Sequence, residues 1–293
     1  MGMNADPILR ETIAAIRRIL GAELDAITIE RVVVGVFFTG VKLGNGFAGA
    51  CATPVKTIPE AVCCPSSAMA MPFPGRLRGR RAVDVLQKTG AASGIRRAVG
   101  VAVMNALTDL CWDRRPLPDL ELCRGVDAFD ATEIRPSDRV VVVGAFVPFL
   151  RALKRQRVGY LVLENDPATL KPDELPFFRP AEQARTILPT ADVALITGTT
   201  LLNETLDGLL CQLRPQARVT LVGPTVSLLP DAFLRRGVDV LGGVRVTAPD
   251  DFLDVLAEGG SGYHFFDRSA ERVVLRRRAM RLKDVSRGSV IPV

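Results

Sequence analysis

A loop of small hydroxyl residues follows a short apolar run in the segment 191–210. The run, 193–196, has the length and branching of a strand buried on both faces. The loop consists of Thr197, Gly198, Thr199 and Thr200. A helical pattern of leucines begins at Leu202. Hydroxyl groups and unpaired amides meet at the start of such a helix, so we expect this loop to bind a ligand. Ordinary threonine capping of the helix explains the same pattern.

Similar loops end the neighbouring predicted strands. In open parallel sheets, ligands bind outside the carboxyl ends of the strands, near the point where the strand order reverses. Glycine in such loops lets a ligand approach the backbone. A fifth short strand is predicted over 238–241, with a loop at 242–243. The candidate ligand-binding positions at these strand ends are Gly144, Phe146, Glu164, Asn165, Thr197, Thr199, Thr200, Asn203, Gly223 and Pro224.

Glu164 lies at a distance from Gly144 that suits a dinucleotide site. Such a site has a GxGxxG turn after its first strand and an acidic residue about 20 positions later that binds the ribose. The glycine fingerprint is absent here, because Phe146 and Pro148 occupy the turn. We therefore expect no NAD(P) cofactor. A nucleoside-like ligand held by Glu164 stays open, and so does a purely local role in capping the turn at 165–166.

The residue types that catalyse hydrolysis or hold zinc are scattered along the chain. There is no GxSxG elbow, no phosphate-binding GxxxxGK[ST] loop and no CxxC pair, and His264 is the single histidine. Six cysteines without a secretory signal indicate free thiols. If the protein binds a transition metal, Cys51 and Glu164 are the candidate ligands. Buried cysteine is, however, commonly only a small apolar residue.

Composition and charge favour a cytoplasmic globular protein. The chain has 293 residues, of which 48% are hydrophobic and 24% charged, and no apolar run approaches the roughly 20 residues that span a bilayer. The net charge is +6, and the segment 271–293 alone carries seven basic and two acidic residues. Aromatic residues are not interleaved with the basic ones, so we expect no nucleic-acid partner. The basic tail is solvated or contacts a protein partner.

The pattern of elements predicts an α/β protein with two domains and a tail. The first domain, 1–120, is α+β: a helix over 6–20, a strand over 27–38, a hairpin turn at Asn45-Gly46 and a long apolar helix over 93–112. The second domain, 121–270, alternates short branched runs with amphipathic patterns, which predicts a doubly wound parallel sheet. The third segment, 271–293, is the basic tail. Asn105 in the middle of the long helix requires hydrogen-bonding partners.

Several stretches resemble a bacterial and archaeal family described as putative heavy-metal chelation proteins. They are VVVVGAF at 140–146, LVLENDP at 161–167, LITGTTLLNETLDGLL at 195–210, LVGPTVSLLPDAFLRRGVDVLGG at 221–243 and VGVAVMNALTDL at 99–110. The resemblance implies an enolase-N-terminal-like domain followed by a Rossmann-like domain, with a ligand cleft between them. Many relatives have histidine where this chain has Ala145. A metal site here would therefore use carboxylates, thiols or a bound chelator.

Our leading hypothesis is that the protein binds or handles a metal, or a metal-chelating small molecule, in this interdomain cleft. The strand-end loops form one wall, and Asn45 and the region of Cys51 form the other. The alternative hypothesis is an enzyme that acts on a nucleoside-like or adenosyl-containing small molecule at the same strand ends. The sequence does not decide between a monomer and a homodimer.

Overall fold

The computed structural model of the chain describes residues 6–57, 73–115 and 120–277. The helices are α1 (Pro7–Leu20), α2 (Glu23–Ala26), α3 (Ala82–Thr89), α4 (Gly94–Arg114), α5 (Val147–Gln156), α6 (Ala184–Ile187), α7 (Leu206–Leu210), α8 (Asp231–Leu234), α9 (Pro249–Ala257) and α10 (Gly262–Phe265). The strands are β1 (Ile29–Val34), β2 (Phe38–Leu43), β3 (Ala48–Ala52), β4 (Leu120–Arg124), β5 (Val140–Val143), β6 (Tyr160–Glu164), β7 (Phe178–Pro180), β8 (Val193–Thr197), β9 (Arg218–Val222), β10 (Val240–Val246) and β11 (Ala270–Arg277). No described helix is both long and apolar enough to cross a membrane.

The N-terminal part of the chain combines helices with a small antiparallel sheet. Asp6 caps α1 by accepting a hydrogen bond from the Leu9 amide at 3.0 Å, and Pro7 occupies the first helical position, where no amide is needed. The sheet has the order β1-β2-β3, and the predicted Asn45-Gly46 turn joins β2 to β3. Helix α4 packs on β2 and β3, and α9, from the C-terminal part, packs on β1 and β2. The small sheet is therefore held between helices from both parts of the chain.

The C-terminal part forms an eight-stranded sheet with the order β4-β11-β10-β9-β8-β5-β6-β7. The six strands from β10 to β7 are parallel, and the valines of β5 pair in register with β6 on one side and β8 on the other. Each face carries its own apolar cluster, because alternate strand residues point to opposite faces. Helices cover both faces, so the fold is mixed α/β with a largely parallel sheet, as the sequence predicts.

The predicted strand over 27–38 is instead two strands. β1 ends at Val34 and β2 begins at Phe38. Between them Gly35 lies against the end of α9, where an added Cβ would come within 2.3 Å of the Leu256 carbonyl oxygen. The chain turns at this point because only glycine allows the two backbones to approach so closely.

The predicted loop at 242–243 is also wrong, because both glycines lie inside β10. An added Cβ would come within 2.3 Å of the Ala128 Cβ at Gly242 and within 2.7 Å of the Ser227 Oγ at Gly243. The glycines therefore serve close packing on the two faces of a strand, which is the other common reason for glycine in a sheet.

The basic tail predicted from residue 271 begins instead as a sheet strand. Ala270–Arg277 forms β11, which pairs antiparallel with β10 on one side and β4 on the other. Val273, Val274 and Leu275 are buried. Arginines flank these three apolar residues on both sides. The sequence therefore resembles a charged tail and does not indicate a strand. Residues 278–293 of the predicted tail lie outside the described residues.

Candidate functional site

The strand order reverses between β5 and β8, since the chain runs outward from β5 through β6 to β7 and then returns to β8. Gly144 ends β5 with a φ of +92°, which favours glycine. A Cβ at this position would come within 2.5 Å of the Thr197 Cγ2 atom at the end of β8. Two of the predicted site residues, Gly144 and Thr197, are therefore neighbours at the place where open parallel sheets bind ligands.

Glu164 fastens the loops after β5 and β6 to each other. Its Oε2 atom accepts a hydrogen bond from the Ala145 amide at 2.9 Å, and its Oε1 atom accepts from the amides of Asn165 (2.8 Å) and Asp166 (3.3 Å). Of the two roles left open by the sequence, the local capping of residues 165 and 166 is observed, and it extends to the loop of Gly144. The carboxylate is half-buried and held in one orientation.

The threonine loop presents one exposed hydroxyl group. Gly198–Leu201 forms a turn of 3-10 helix, and α7 starts only at Leu206, so the helix predicted from Leu202 is shorter than expected. Thr200 is buried and its hydroxyl donates to the Thr197 carbonyl oxygen at 2.7 Å. Thr199 is exposed, and its Oγ1 lies 3.3 Å from the Thr197 Oγ1 atom. Thr199 thus remains available to a ligand, whereas Thr200 supports the loop.

Asn203 stabilises the same loop, and its backbone amide donates to the Thr199 carbonyl oxygen at 3.3 Å. It is exposed, and its Oδ1 atom accepts hydrogen bonds from the backbone amide (3.3 Å) and the hydroxyl (2.7 Å) of Thr205. Its observed role is that of an asparagine turn that ends the 3-10 segment.

A buried arginine from the N-terminal part fixes the far end of this loop. The Arg97 side chain is only 1% exposed, although it carries a charge. Its Nε donates to the Ala92 carbonyl at 2.6 Å, and its Nη1 donates to the Leu201 carbonyl at 3.2 Å. Its Nη2 binds the Glu204 carboxylate. Such a charge is tolerated inside a protein because every side of the guanidinium is hydrogen-bonded.

The loop after β9 is covered by the N-terminal part. Gly223 adopts a φ of +122°. The Asn105 Nδ2 group donates to the carbonyl oxygens of Ala50 at 2.6 Å and Pro224 at 2.9 Å, whereas the buried Oδ1 atom accepts no hydrogen bond from the described residues. The Thr225 Oγ1 atom accepts from the Ala52 amide at 3.1 Å. Gly223 and Pro224 were predicted to bind a ligand, and the structure places the Pro224 carbonyl in this contact between the two parts of the chain.

Cys51, a predicted metal ligand, also belongs to this covered region. Its thiol donates to the Thr225 Oγ1 atom at 3.8 Å, and complete burial raises the pKa of the thiol to about 12. A metal binds the thiolate, which this environment disfavours strongly. Within the described residues, no three His, Cys, Asp or Glu side chains come together as a metal site would require. Cys63 and Cys64 lie outside the described residues.

A lysine reaches the strand ends from the N-terminal part of the chain. The Lys56 Nζ atom lies 2.7 Å from the Asp166 carboxylate. Asp166 belongs to the loop that Glu164 holds, and the pKa of its carboxyl group is lowered by the hydrogen bond from Lys56. The segment after β3 therefore approaches the carboxyl end of β6.

Asn45 was predicted to face the strand-end loops, and the structure places it elsewhere. It is exposed at the β2–β3 turn and lines a separate cleft of about 470 Å³. The described walls of that cleft include none of the other predicted site residues. The Asn45-Gly46 sequence correctly predicted a hairpin turn, but it does not reveal which end of the hairpin approaches the strand-end loops. The end opposite the turn does so, through Lys56 just after β3.

Three residues outside the predicted site segments also contact these loops, and they are Lys56, Arg97 and Glu204. Arg97 has one usable signal, since it begins an otherwise apolar helix in which a buried charge needs partners. Its neighbour Arg96 carries the same signal. Asp166 and Thr225 lie in the strand-end loops that the sequence predicted as one wall of the site, although they were not singled out as binding positions.

Two family models match the chain over most of its length. The model called DUF364, with the description "Putative heavy-metal chelation", matches residues 127–275. A second model with the same description, DUF4213, matches residues 17–108. An uncharacterized protein of Methanocaldococcus jannaschii is 29% identical over 173 residues. That match covers 58% of this chain and 62% of the relative, so it spans less than two thirds of the archaeal protein.

Two crystal structures of proteins with unknown function from the DUF364 family are similar over nearly the whole chain. The protein from Pyrococcus horikoshii has a TM-score of 0.71 at 18% identity, covering 91% of this chain and 98% of that protein. The protein from Desulfitobacterium hafniense has a TM-score of 0.64 at 19% identity, covering 92% and 98%. At this level of identity the similarity concerns the fold alone.

Proposed function

Because this chain belongs to the DUF364 family, described as "Putative heavy-metal chelation", we propose that it binds a metal-chelating small molecule together with its metal. The site is the crevice between the ends of β5 and β8, in the cleft between the two parts of the chain. The observation that carries the proposal is the close approach of Gly144 and Thr197 where the strand order reverses. The exposed Thr199 hydroxyl and the Lys56–Asp166 pair lie on the loops around this crevice.

The proposal includes the finer fold assignment. If the six parallel strands are numbered in chain order from β5, their spatial order is 3-2-1-4-5-6, which is that of dinucleotide-binding sheets and supports a Rossmann-like domain over 121–270. A three-stranded meander that packs on the long helix α4 supports an enolase-N-terminal-like domain over 1–120. The cleft then lies where Lys56 of the first domain meets the loops of the second.

A chelate is a better ligand for these residues than a bare ion. The described residues place the exposed Thr199 hydroxyl group and the Lys56 ammonium group around the crevice, and such groups bind the oxygen atoms of an organic anion. Cys51 and Glu164, the candidate metal ligands, are held by Thr225 and by three backbone amides respectively. The metal would therefore be cargo within its chelator, and the protein would recognise the organic part.

The proposal is tested by isothermal titration with Ni²⁺ and Cu²⁺, each as the free ion and as its citrate complex. We expect the complex to bind at least about ten times more tightly than the free ion. We expect Thr199→Val to weaken binding of the complex about tenfold or more, since it removes an exposed hydroxyl and keeps the side-chain shape. Thr190→Val is the matched control, because the Thr190 hydroxyl donates to the Ile187 carbonyl outside the crevice. Tighter binding of the free ion, or equal affinities in the two variants, would refute the proposal.

The second candidate function is an enzyme that acts on a nucleoside-like or adenosyl-containing molecule. It is favoured by the position of Glu164 at the end of β6, where dinucleotide-binding sheets hold an acid for the ribose hydroxyls. Under this reading adenosine and S-adenosylmethionine should raise the melting temperature of the wild-type protein. They should do so much less in Glu164→Gln. If neither compound shifts the melting temperature, this candidate is excluded.

A further inference from the structure

A second cleft lies at the opposite end of the large sheet from β7. It is formed by the β2–β3 turn, the C-terminal half of α4 and the ends of β4, β10 and β11. Its volume of about 470 Å³ is within the range of sites for small metabolites. We call it the paired-charge cleft, after the five charged side chains that line it: Asp109, Asp113, Arg124, Arg245 and Glu271.

The charges of this cleft are paired loosely. The Arg245 Nη2 atom is 3.6 Å from the Asp113 carboxylate, and the Arg124 Nη1 atom is 3.7 Å from the Glu271 carboxylate. Both distances are too long for a hydrogen bond. On the nearby β1 strand, by contrast, Arg31 donates a hydrogen bond of 2.8 Å to Asp254. The paired-charge cleft therefore keeps donors and acceptors that its own residues do not use.

The innermost pair of the cleft is desolvated and incompletely bonded. The Asp109 side chain is 9% exposed, and its Oδ1 atom lies 2.8 Å from the Arg245 Nε atom. The two groups are in contact as ions, but this oxygen accepts no well-aligned hydrogen bond. Burial raises the pKa of the Asp109 carboxyl group, while Arg245 opposes the rise. A buried charge without full hydrogen bonding is costly, and a bound polar ligand would lower that cost.

The chemistry of the cleft narrows the class of ligand. Acidic and basic side chains line the same space, so a ligand with a single charge would meet repulsion as well as attraction. A divalent cation is disfavoured, because two guanidinium groups share the walls and no described trio of carboxylates converges. Phe47, Val246 and Pro249 add an apolar wall. A small molecule with both an ammonium and a carboxylate group, attached to a short side chain, matches these features.

We propose that the paired-charge cleft binds a free α-amino acid. Its carboxylate pairs with Arg124 and its ammonium with Asp113, which are the two most exposed charges of the cleft at 56% and 48%. Arginine suits this role because its fork of N–H groups can bind both oxygens of a carboxylate. This site shares no described residue with the crevice at β5 and β8. A test of this proposal is therefore independent of a test of the proposed function.

The probes are glycine and individual L-amino acids, including L-arginine and L-phenylalanine. Each is titrated calorimetrically into the full-length protein. For each amino acid that binds, the amine without the carboxylate and the acid without the ammonium are titrated as well. The variants are Arg124→Gln and Asp113→Asn. The matched controls are Arg31→Gln and Asp254→Asn, which remove an exposed pair of similar accessibility outside the cleft.

We expect saturable binding of at least one amino acid with a dissociation constant below about 1 mM. Both single-charge analogues should bind at least about ten times more weakly, and each cleft variant should lose about tenfold or more in affinity while the controls lose less than about twofold. The proposal is overturned if no amino acid saturates the protein below about 10 mM. It is also overturned if the single-charge analogues bind equally well, or if the cleft variants bind as the controls do.

Discussion

The carboxyl edge of the large sheet is used differently along its two halves. Over β8, β9 and β10, helix α4 lies across the edge and binds it through side chains spaced along one helix face: Arg97 at the loop after β8, Asn105 at the loop after β9 and Asp109 at β10. Over β5 and β6 the loops are fastened mainly to each other, through Glu164. The contacts of α4 join the two parts of the chain over β8 and β9 and end at the Asp109–Arg245 pair beside the paired-charge cleft, whereas the loop after β5 is held mainly by its neighbour.

This difference shows that similar loops at strand ends need not have similar roles. The loops after β8 and β9 both contain glycine and threonine, yet the loop after β9 is occupied by Asn105 and β3, whereas the loop after β8 retains an exposed Thr199. The boundary between the two halves is the segment 197–204. One end of that segment touches Gly144, and the other is held by Arg97. The predictions below test whether this boundary lies where the contacts place it.

The largest effect is expected for Arg97→Met. The substitution keeps the apolar volume but leaves the carbonyl groups of Ala92 and Leu201 without donors in a buried position. We expect the free energy of unfolding to fall by about 2–4 kcal/mol, because each buried carbonyl group left without a donor costs about 1–3 kcal/mol. Urea denaturation measures the change. Arg151→Met, at an exposed position of α5, is the control, and an equal loss in both variants would show that α4 is not fixed through Arg97.

A smaller loss is expected for Asn105→Ala. The amide donates to the carbonyls of Ala50 and Pro224, so its removal leaves two acceptors unpaired where the N-terminal part covers the sheet. We expect a loss of about 2 kcal/mol in the free energy of unfolding. Gln87→Ala, on the exposed side of α3, controls for the change to alanine within a helix. If Asn105→Ala is as stable as this control, the β9 end is not sealed by α4.

The docking of α1 should respond to pH. Hydrogen bonds from Arg236 and Arg235 lower the pKa of Glu11 from 4.5 to about 2. Because the pKa is lower in the folded state, the contribution of Glu11 to stability is present above pH 4.5 and is lost as the pH falls toward 2. The Glu11 side chain is 30% exposed, and after allowance for solvent screening we expect about 1–2 kcal/mol. Urea denaturation of Glu11→Gln should show a shallower slope of stability between pH 4.5 and 2.5 than the wild type. Equal slopes would contradict the prediction.

Local sequence patterns predicted most of the helices and strands. The features that they did not predict depend on packing between residues far apart in the chain. The branched runs of β5 and β8 and the cap of α1 follow from short-range patterns alone. Arg96 and Arg97 are adjacent and chemically identical, yet Arg97 is buried between the Ala92 carbonyl and the 201–204 segment whereas Arg96 is exposed. Likewise, the sequence pattern of Gly242 and Gly243 indicates a loop. Their position in a strand is explained only by the close packing of Ala128 and Ser227 against them.

The candidate site was predicted as a set of loops. The sequence could not show which residues of these loops are already bonded within the protein and which are free to contact a ligand. Glu164 was singled out from the sequence, and the loop conformation decides that its carboxylate accepts hydrogen bonds from three backbone amides. Cys51 was selected for its chemistry, and its burial against Thr225 comes from β3 docking on the second half of the chain. Residue type indicates which chemistry is available, whereas tertiary contacts decide which groups are already used.

The smallest effect on stability is expected at Thr199, and the adjacent Thr200 provides the comparison. Thr200→Val removes a buried hydroxyl that donates to the Thr197 carbonyl, so we expect a loss of about 1 kcal/mol in the free energy of unfolding. Thr199→Val changes an exposed side chain and should stay within about 0.5 kcal/mol of the wild type. Urea denaturation of both variants under one condition distinguishes them. If Thr199→Val is as destabilising as Thr200→Val, its hydroxyl supports the fold and the open half of the edge has no free group on this loop. If only Thr200→Val is destabilised, the Thr199 hydroxyl is retained at no structural benefit, as expected for a group that contacts a ligand.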